Sequence, residues 1–233
     1  MRLYTISDLH LSFGVEKPMD IFHGWENYYE RLKANWNRIV TDDDTVVIPG
    51  DISWASSLLE AKKDFEFINS LHGQKIILKG NHDFWWTTAN KINNFLAENN
   101  FHTIKILYNN HYSDSKIAIC GSRGWLYDAS SKQDEKIILR ECGRIKASVL
   151  PAIEKGLEPV LFLHYPPAYF DSVCEEIICT IKELGINNVY YGHIHGSGFN
   201  NALSSYDGIK MHLISCDCVD FSPVFVAECG HFI

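Results

Sequence analysis

The hydrophobic positions of this chain cluster in short runs, and most of these runs lead directly into a polar residue with functional chemistry. Six runs are rich in β-branched residues and apolar at nearly every position: Leu3–Ser7, Thr45–Pro49, Lys75–Lys79, Lys116–Cys120, Val160–Leu163 and Val189–Tyr191. Continuous hydrophobicity, unlike strict alternation, is typical of strands buried on both faces by covering helices. We therefore predict an α/β protein whose strands are largely buried.

The C-terminal part of the chain has a different pattern. Lys210–Cys216 and Val224–Cys229 have the composition of strands, and only a loop separates them. Strands joined by a loop without an intervening helix are commonly neighbours in one sheet. We predict that these two strands pair with each other.

Helical periodicity is found between the strands. Ser57 and Glu60 form a capping-box pattern before one predicted helix, and Gly73 follows as its stop signal. Ser172 and Glu175 repeat the pattern before a second helix. The buried stripes predicted for these two helices are Leu58, Ala61, Phe65 and Ile68 in the first, and Ile178, Ile181 and Leu184, closed by Gly185, in the second.

Two further segments are considered for helix. Apolar residues from Trp25 to Ile39 suggest a helix before the second strand, whereas Gly143 and Pro151 disfavour an uninterrupted helix over Asp134–Lys155. No repeat, low-complexity tract or flexible linker divides the sequence. We expect one α/β domain over residues 1–233, with two packed sheets inside and helices outside.

Composition narrows the class of protein. The 233 residues are 46% hydrophobic and 21% charged, which is ordinary for a globular chain able to bury roughly 70% of its surface. The formal net charge of −8 offers no general basic surface for a nucleic-acid backbone. The chain starts on a strand and has no apolar run near the ~20 residues that span a bilayer, so we expect a cytoplasmic protein without membrane association.

The cysteines do not suggest a metal or disulfide site. All seven are scattered, and none forms a C-x-x-C pair. Cys216-Asp217-Cys218 is the closest pair, but thiolate metal sites usually space their cysteines more widely. We expect reduced, mostly buried thiols.

Five polar motifs follow predicted strands, where α/β sheets usually place their ligand sites. In chain order they are Asp8-Leu9-His10, Gly50-Asp51, Gly80-Asn81-His82-Asp83, His164 and Gly192-His193-Ile194-His195-Gly196. Each motif alone has an ordinary explanation, such as a turn, a cap or a satisfied polar group. Together they supply mixed oxygen and imidazole ligands, which suit Mn²⁺, Fe or Zn²⁺, and they are enough for two adjacent divalent ions.

The same series of motifs, spanning residues 8 to 196, resembles the calcineurin-like metallophosphoesterase superfamily. The segments 50–55, 80–86 and 121–125 are also similar to a bacterial branch of predicted phosphoesterases, although some relatives carry an acidic residue at the position of Ser53. The resemblance implies a four-layer αββα sandwich of two mixed β-sheets flanked by helices. It also implies a dinuclear metal centre.

Residue roles are carried over from this resemblance by position. It implies that one metal is held by Asp8, His10 and His195. The other would be held by Asn81, His164 and His193, with Asp51 bridging the two. It further implies that His82 is the catalytic histidine that does not bind metal, and that Asp83 orients it.

The reaction implied is hydrolysis of a phosphoester, in which a metal-bridging hydroxide attacks phosphorus and His82 assists the leaving group. Arg123, next to Gly124 at the end of a predicted strand, is a candidate substrate clamp because guanidinium binds phosphate bidentately. A structural salt bridge is an equally open role for Arg123. The aromatic residues beside the motifs have two open roles, core packing and stacking on a nucleobase or aryl group: Trp54, Trp85, Trp86, Trp125 and Tyr127.

Several functions are compatible with the motifs. A phosphodiesterase acting on a small nucleotide or other phosphorylated metabolite is favoured over a phosphomonoesterase or a nuclease, because the acidic chain lacks a basic stripe. A local groove could still be charged, so a nuclease stays open. A non-catalytic protein-binding scaffold is a different class, but such relatives tend to lose ligands or the catalytic histidine. A single-metal or redox protein is disfavoured by Asp51.

Overall fold

The computed structural model describes residues 1–125 and 132–232, and these residues form alternating strands and helices. The strands are β1 (Arg2–Thr5), β2 (Thr45–Pro49), β3 (Gln74–Leu78), β4 (Ile104–Ile106), β5 (His111–Ser113), β6 (Ile117–Ser122), β7 (Glu158–Leu163), β8 (Ala168–Tyr169), β9 (Ser172–Val173), β10 (Asn188–Tyr191), β11 (Ser205–Tyr206), β12 (Ile209–Leu213) and β13 (Val224–Glu228). The helices are α1 (Tyr28–Ile39), α2 (Leu58–Ser70), α3 (Ala89–Glu98), α4 (Lys132–Glu154) and α5 (Glu175–Glu183), followed by a 3-10 helix at Gly196–Asn201.

Two large mixed sheets contain most of the strands. The first has the order β13-β1-β2-β3-β4, in which β1 to β4 are parallel and β13 is an antiparallel edge. The second has the order β11-β12-β10-β7-β6-β5, with antiparallel edges at β11 and β5 and parallel strands between them. The short strands β8 and β9 form a separate hairpin.

Three hydrophobic clusters define the layers. A central cluster joins residues of both sheets, including Leu3, Val47 and Phe162. The other face of the first sheet packs with α1, α2 and α3, and the other face of the second packs with α4 and α5. The order of layers is therefore helix, sheet, sheet, helix, which confirms the predicted four-layer sandwich.

Local patterns predicted most elements well. All six apolar runs are strands, and their ends lie within two residues of the predicted ones. The Ser57 side chain accepts a hydrogen bond from the Glu60 amide, as a capping box requires. The helix before β2 is present as well, although it begins at Tyr28 and leaves Trp25 in the preceding loop. Helix α3 and the short strands β4, β5, β8, β9 and β11 were not predicted.

The predicted pairing of the last two strands is wrong. β12 pairs with β10 in the second sheet, whereas β13 pairs with β1 in the first. The loop between them crosses from one sheet to the other, and Ser215 forms a bridge with Ser7 on the way. Composition identifies both segments as strands but does not encode which sheet has a free edge for each.

Two helix predictions also need correction. α4 is one continuous helix despite Gly143 and Pro151. Pro151 lies only three residues before the C-terminal end of the helix, and burial of residues such as Ile145 and Val149 holds this helix on the sheet. α5 is not capped by Ser172, which belongs to β9; the helix begins after Cys174, whose side chain makes no capping bond.

Candidate metal centre

The polar motifs converge where strands β1, β2, β3, β7 and β10 end. Four of the seven candidate ligands have backbone φ angles in the left-handed region: Asp8 at 61°, His10 at 45°, Asp51 at 50° and His193 at 72°. Such angles are uncommon for residues other than glycine, and they concentrate at sites where the chain must aim side chains in unusual directions. The strained loops turn these side chains toward one point between the sheets.

Two clusters of potential metal ligands result. The first is formed by Asp8, His10 and His195, whose ligand atoms lie within 4.8 Å of one another. The second is formed in the same way by Asp51, His164 and His193. All six residues come from the predicted set.

Asp51 faces both clusters. Its Oδ2 atom lies 3.8 Å from His10 Nε2 in the first cluster, and its Oδ1 atom lies 3.5 Å from His164 Nε2 in the second. The carboxylate is 1% exposed, and burial followed by the nearby charge of Asp8 raises its pKa to about 8. The buried carboxylates of Asp8 and Asp51 repel each other, and positive charge between them would relieve this repulsion.

His164 and Asn81 present ligand atoms to each other. His164 Nδ1 lies 3.0 Å from the Pro49 carbonyl, to which it must donate, so Nε2 of the neutral ring carries a lone pair. That lone pair faces Asn81 Oδ1 at 2.7 Å, and this oxygen is also an acceptor. Burial lowers the pKa of His164, so the ring favours its neutral form. Two acceptors aimed at one point are a donor set suited to a cation.

His10 and His195 face each other in the first cluster. Their Nε2 atoms are 3.2 Å apart, and His195 Nδ1 donates to the Asp217 carboxylate at 2.8 Å. Burial alone would lower the pKa of His195, but Asp217 and Asp8 outweigh it and raise the pKa to about 10. The carboxylates therefore attract positive charge to this position.

Asp217 contacts the candidate site through His195, and sequence reasoning missed it. It stands between Cys216 and Cys218, so only the thiols of this tripeptide had been considered. The available signal in the sequence was its position as an acidic residue directly after the predicted strand Lys210–Cys216. Its position beside His195 depends on the crossing loop that follows β12.

The Asp8 carboxylate is held by two hydrogen-bond donors. Both oxygens lie 3.0 Å from the His193 amide, and Ser215 Oγ donates to Oδ2 at 2.9 Å. Burial would raise its pKa, but the hydrogen bond and charge of His195 reverse the effect and hold the pKa well below the usual range. Asp8 is thus fixed as an anion at the centre of the site.

Two glycines allow the motifs to approach this closely. A Cβ atom on Gly80 would overlap the Asp51 carboxylate, and one on Gly192 would overlap Asp8 Oδ2. No side chain fits at either position. The glycines of the Gly-Asn-His-Asp and Gly-His-Ile-His-Gly motifs therefore have a steric function in the site.

The Asp83 carboxylate contacts backbone amides and the Trp85 indole. Its buried carboxylate accepts hydrogen bonds from the backbone amides of Asp51, Ile52, Ser53 and Gly80 and from Trp85 Nε1. None of its described hydrogen bonds involves the His82 ring, which it was expected to orient. Burial, and then the charge of Asp51, raises the pKa of Asp83 to about 6. Asp83 holds the loop that carries Asp51.

His82 lies at the open side of the centre. Its Nε2 atom is 4.0 Å from Asp51 Oδ2, and 36% of its side chain is exposed. The ring packs 4.4 Å from Trp54, and the exposed side chain of Phe84 lies 6.1 Å away. Burial lowers the pKa of His82. His82 can therefore reach a molecule bound at the centre without being enclosed among the ligands.

The other candidates from the sequence that the structure describes, aromatic residues and Arg123, lie either in the hydrophobic core or at the edge of the metal centre. Trp85 is buried in the core, whereas Trp54 stacks on the His10 ring at 4.8 Å. The Arg123 guanidinium lies over the rings of Trp125 and Tyr165, and it forms no ion pair among the residues described. Tyr127 lies outside the described residues.

A family model for calcineurin-like phosphoesterases matches residues 1–197. The chain belongs to this family. The resemblance of the five motifs to calcineurin-like proteins is therefore confirmed. Family membership, together with the two Asp/His clusters, supports a metal-dependent phosphoesterase.

Comparison with solved structures shows similar folds. Solved structures similar to this calcineurin-like chain include protein AQ665 from Aquifex aeolicus, with a TM-score of 0.52, 14% identity and coverage of 96% of this chain and 95% of the other. TT1561 from Thermus thermophilus has a TM-score of 0.54 and 11% identity, with 97% and 98% coverage. The first of these is described as a protein of unknown function.

A curated relative matches a shorter segment. "Uncharacterized protein MJ1445" from Methanocaldococcus jannaschii is 32% identical over 84 residues, or 35% of this chain. The match spans about half of that relative, 47% of its length. In the part of the calcineurin-like chain that the structure describes, no helix is both long enough and apolar enough to cross a membrane.

Proposed function

We propose that this protein is a phosphoester hydrolase that uses two divalent metal ions. The observation that carries this proposal is the Asp51 carboxylate, whose two oxygens face His10 in one cluster and His164 in the other. The proposed ligands are Asp8, His10 and His195 for one ion, Asn81, His164 and His193 for the second, and Asp51 between them.

The donor set favours Mn²⁺, Fe or Zn²⁺. It combines carboxylate and amide oxygens with imidazole nitrogens, and no thiolate is among them. Two such ions, when bound, would neutralise charge on phosphoryl oxygens and would lower the pKa of water toward neutrality. Asp217 and the Pro49 carbonyl engage Nδ1 of the His195 and His164 rings, which directs Nε2 of each ring toward the proposed ions.

His82 is proposed as the group that protonates the leaving oxygen. It is the imidazole of the motifs that stands on the exposed side of Asp51, where a bound phosphoester would have its leaving group. Transfer of a proton from imidazolium to the departing alkoxide would remove the negative charge that opposes bond cleavage. Loss of such help typically costs ~10²–10⁴-fold in rate.

We favour a phosphodiester of a small nucleotide or another phosphorylated metabolite as substrate. The net charge of −8 opposes long polyanions, whereas two cations would attract a compact anion locally. The exposed Phe84 beside His82 offers a surface for a flat base or aryl group. A phosphomonoesterase or a nuclease is the alternative within the same chemistry.

A paired hydrolysis assay tests the proposal. Metal-stripped protein is assayed on bis-p-nitrophenyl phosphate and on p-nitrophenyl phosphate, with and without added Mn²⁺, while bound metal is counted. We expect two ions per chain, restored turnover and faster cleavage of the diester. Preference for the monoester would refute the diesterase assignment, and absence of both metal and turnover would favour the protein-binding scaffold.

A further inference from the structure

A cavity of about 340 Å³ lies beside the metal centre and is lined by charged residues. Lys79, Arg123, Arg140 and Arg144 face it, together with the single carboxylate of Glu141 among the described lining residues. The lining thus carries three positive charges in excess, although the chain as a whole has a net charge of −8. We refer to these five residues and the space between them as the cationic pocket.

Three of the five residues of the cationic pocket, Arg140, Glu141 and Arg144, belong to one face of helix α4. Ile137, Arg140, Glu141 and Arg144 have the spacing i, i+3, i+4 and i+7, so they share a single stripe. The apolar stripe that packs α4 against the protein is a neighbouring one, which includes the buried Ile138, Cys142 and Ile145. The pocket stripe lies beside it, and three of its four members are charged.

Arg144 and Arg123 are held in position before any ligand arrives. The Glu141 side chain is 1% exposed, and it accepts hydrogen bonds from Arg144 Nη1 at 2.6 Å and from Ser122 Oγ. Arg123 is held over the Trp125 ring at 5.0 Å, and its buried Nε has no hydrogen-bond partner among the described residues. Donors positioned in this way bind an anion with little loss of side-chain entropy.

The cationic pocket lies next to two of the proposed metal ligands, His164 and Asn81. The backbone carbonyl of Arg123 accepts the His164 amide at 3.1 Å. Lys79 precedes Asn81 by two residues, so their Cα atoms are at most about 7 Å apart. A compact molecule could therefore contact the metal centre and the pocket at the same time.

We propose that the cationic pocket binds a second phosphoryl group of the substrate, while the scissile phosphoester occupies the metal centre. This inference rests on the proposed function, and it narrows the substrate class to small metabolites that carry a phosphomonoester in addition to the bond that is cleaved. The surplus of three positive charges suits a group of charge near −2, and guanidinium forks match its oxygens. The volume lies within the range of small-molecule sites.

The first test measures anion binding without relying on turnover. The full chain is treated with the arginine reagent phenylglyoxal in inorganic phosphate or in chloride of equal ionic strength, and the modification of each arginine is followed by peptide mass spectrometry. We expect phosphate to slow modification of Arg140 and Arg144 several-fold. Arg38, an exposed arginine of α1 that bonds only weakly to Asn35, is the internal control and should be unaffected. Equal rates for Arg140 and Arg144 in both salts would overturn the proposal.

The second test connects the pocket to the substrate. Thymidine 5′-(p-nitrophenyl phosphate) is compared with the same compound carrying a 3′-phosphate. One or two charge-assisted hydrogen bonds to that phosphate should raise kcat/KM by about 10- to 100-fold. R140Q and R144Q should reduce this preference, whereas R38Q should keep it.

The two tests separate failure of the pocket from failure of the proposed function. Protection of Arg140 and Arg144 in a protein that cleaves neither compound would leave anion binding in place and refute the hydrolase. Metal-dependent cleavage without any preference for the 3′-phosphate, or with a preference that R140Q and R144Q do not change, would refute the substrate class proposed here.

Discussion

His195 Nδ1 donates to the Asp217 carboxylate at 2.8 Å, and the other carboxylate oxygen accepts the Gly196 amide at 3.1 Å. One side chain thus positions both the ring and the backbone of the last motif. Because Nδ1 is engaged, Nε2 is directed toward His10 and Asp8. Asp217 is a positioning residue that acts through His195.

Replacement of Asp217 by alanine should weaken metal binding while leaving the fold intact. Loss of a carboxylate partner of a ligating histidine typically costs ~10–100-fold in metal affinity. Calorimetric titration of the metal-stripped protein with Mn²⁺ measures the change in affinity. D217N should regain part of the affinity that D217A loses, because asparagine keeps one acceptor oxygen. D220A removes a nearby exposed carboxylate paired with Arg31 and serves as the matched control. Equal affinities for wild type and D217A would contradict the role assigned to Asp217.

Replacement of Asp51 by asparagine should weaken binding of both metal ions together. The substitution keeps the shape but removes the negative charge that faces His10 on one side and His164 on the other. Metal content after dialysis and unfolding midpoints with and without Mn²⁺ measure the effect. Retention of two tightly held ions by D51N would show that Asp51 does not bridge.

Replacement of His82 by alanine should preserve metal content and reduce turnover by ~10²–10⁴-fold on a diester with a poor leaving group. A diester that releases p-nitrophenolate should be affected less, because that leaving group needs little protonation. H72A is a matched control, since His72 is exposed and pairs with Asp42. Wild-type activity of H82A on the alkyl diester would remove His82 from the mechanism.

Replacement of Asp83 by alanine should destabilise the protein as a whole. Four backbone amides and the Trp85 indole would lose their acceptor in a buried region, at a cost of about 1–3 kcal/mol for each donor left unsatisfied. Urea unfolding should show a loss of several kcal/mol or no folded protein. D83N, which keeps one acceptor oxygen, should be intermediate, and D171A at an exposed site should be neutral. Wild-type stability of D83A would be inconsistent with these bonds.

The buried Lys75 should make stability depend on pH. Its ammonium is enclosed and donates to the carbonyls of Leu71 and Gly73 at 2.6 and 2.8 Å, while burial lowers its pKa from 10.5 to about 7. Between these two values the unfolded chain binds the proton more strongly than the folded chain. The free energy of unfolding should therefore rise with pH over this window, with a limiting slope of about 1.4 kcal/mol per pH unit from this group.

Urea unfolding from pH 7 to 10 in the presence of a reducing agent measures this slope. K75M should lose the contribution, because it cannot take up a proton in either state. K116M, at an exposed position, should retain the wild-type slope. Identical slopes for wild type and K75M would mean that Lys75 titrates alike in the folded and unfolded chains.

The sequence predicted the strands of this protein because their hydrophobicity is a local property. A run such as Thr45–Pro49 is apolar throughout, since both faces of the strand are covered, and that requirement is visible without knowing the partners. The ligand-bearing motifs were visible for a related reason. Residues after parallel strands share one edge of the sheet, so their order along the chain already places them together.

Other features depended on segments that are distant in the chain. β12 and β13 were identified as strands but assigned to one sheet, because composition does not reveal that an edge of β1 is open to β13. The continuity of α4 through Pro151 depends on its packing against the second sheet.

The sequence by itself therefore determined the fold class and which residues converge at the site, since burial and strand order are encoded locally. Only the tertiary structure decided what supports the site. Asp83 was assigned to its neighbour His82, whereas folding brings its carboxylate to the backbone of the Asp51 loop. Asp217 reaches His195, and Arg140 reaches the side of the site near Arg123, only because loops and helices distant in the chain pack together. Hydrogen bonds and charge pairs of this kind form across space, and no local pattern records them.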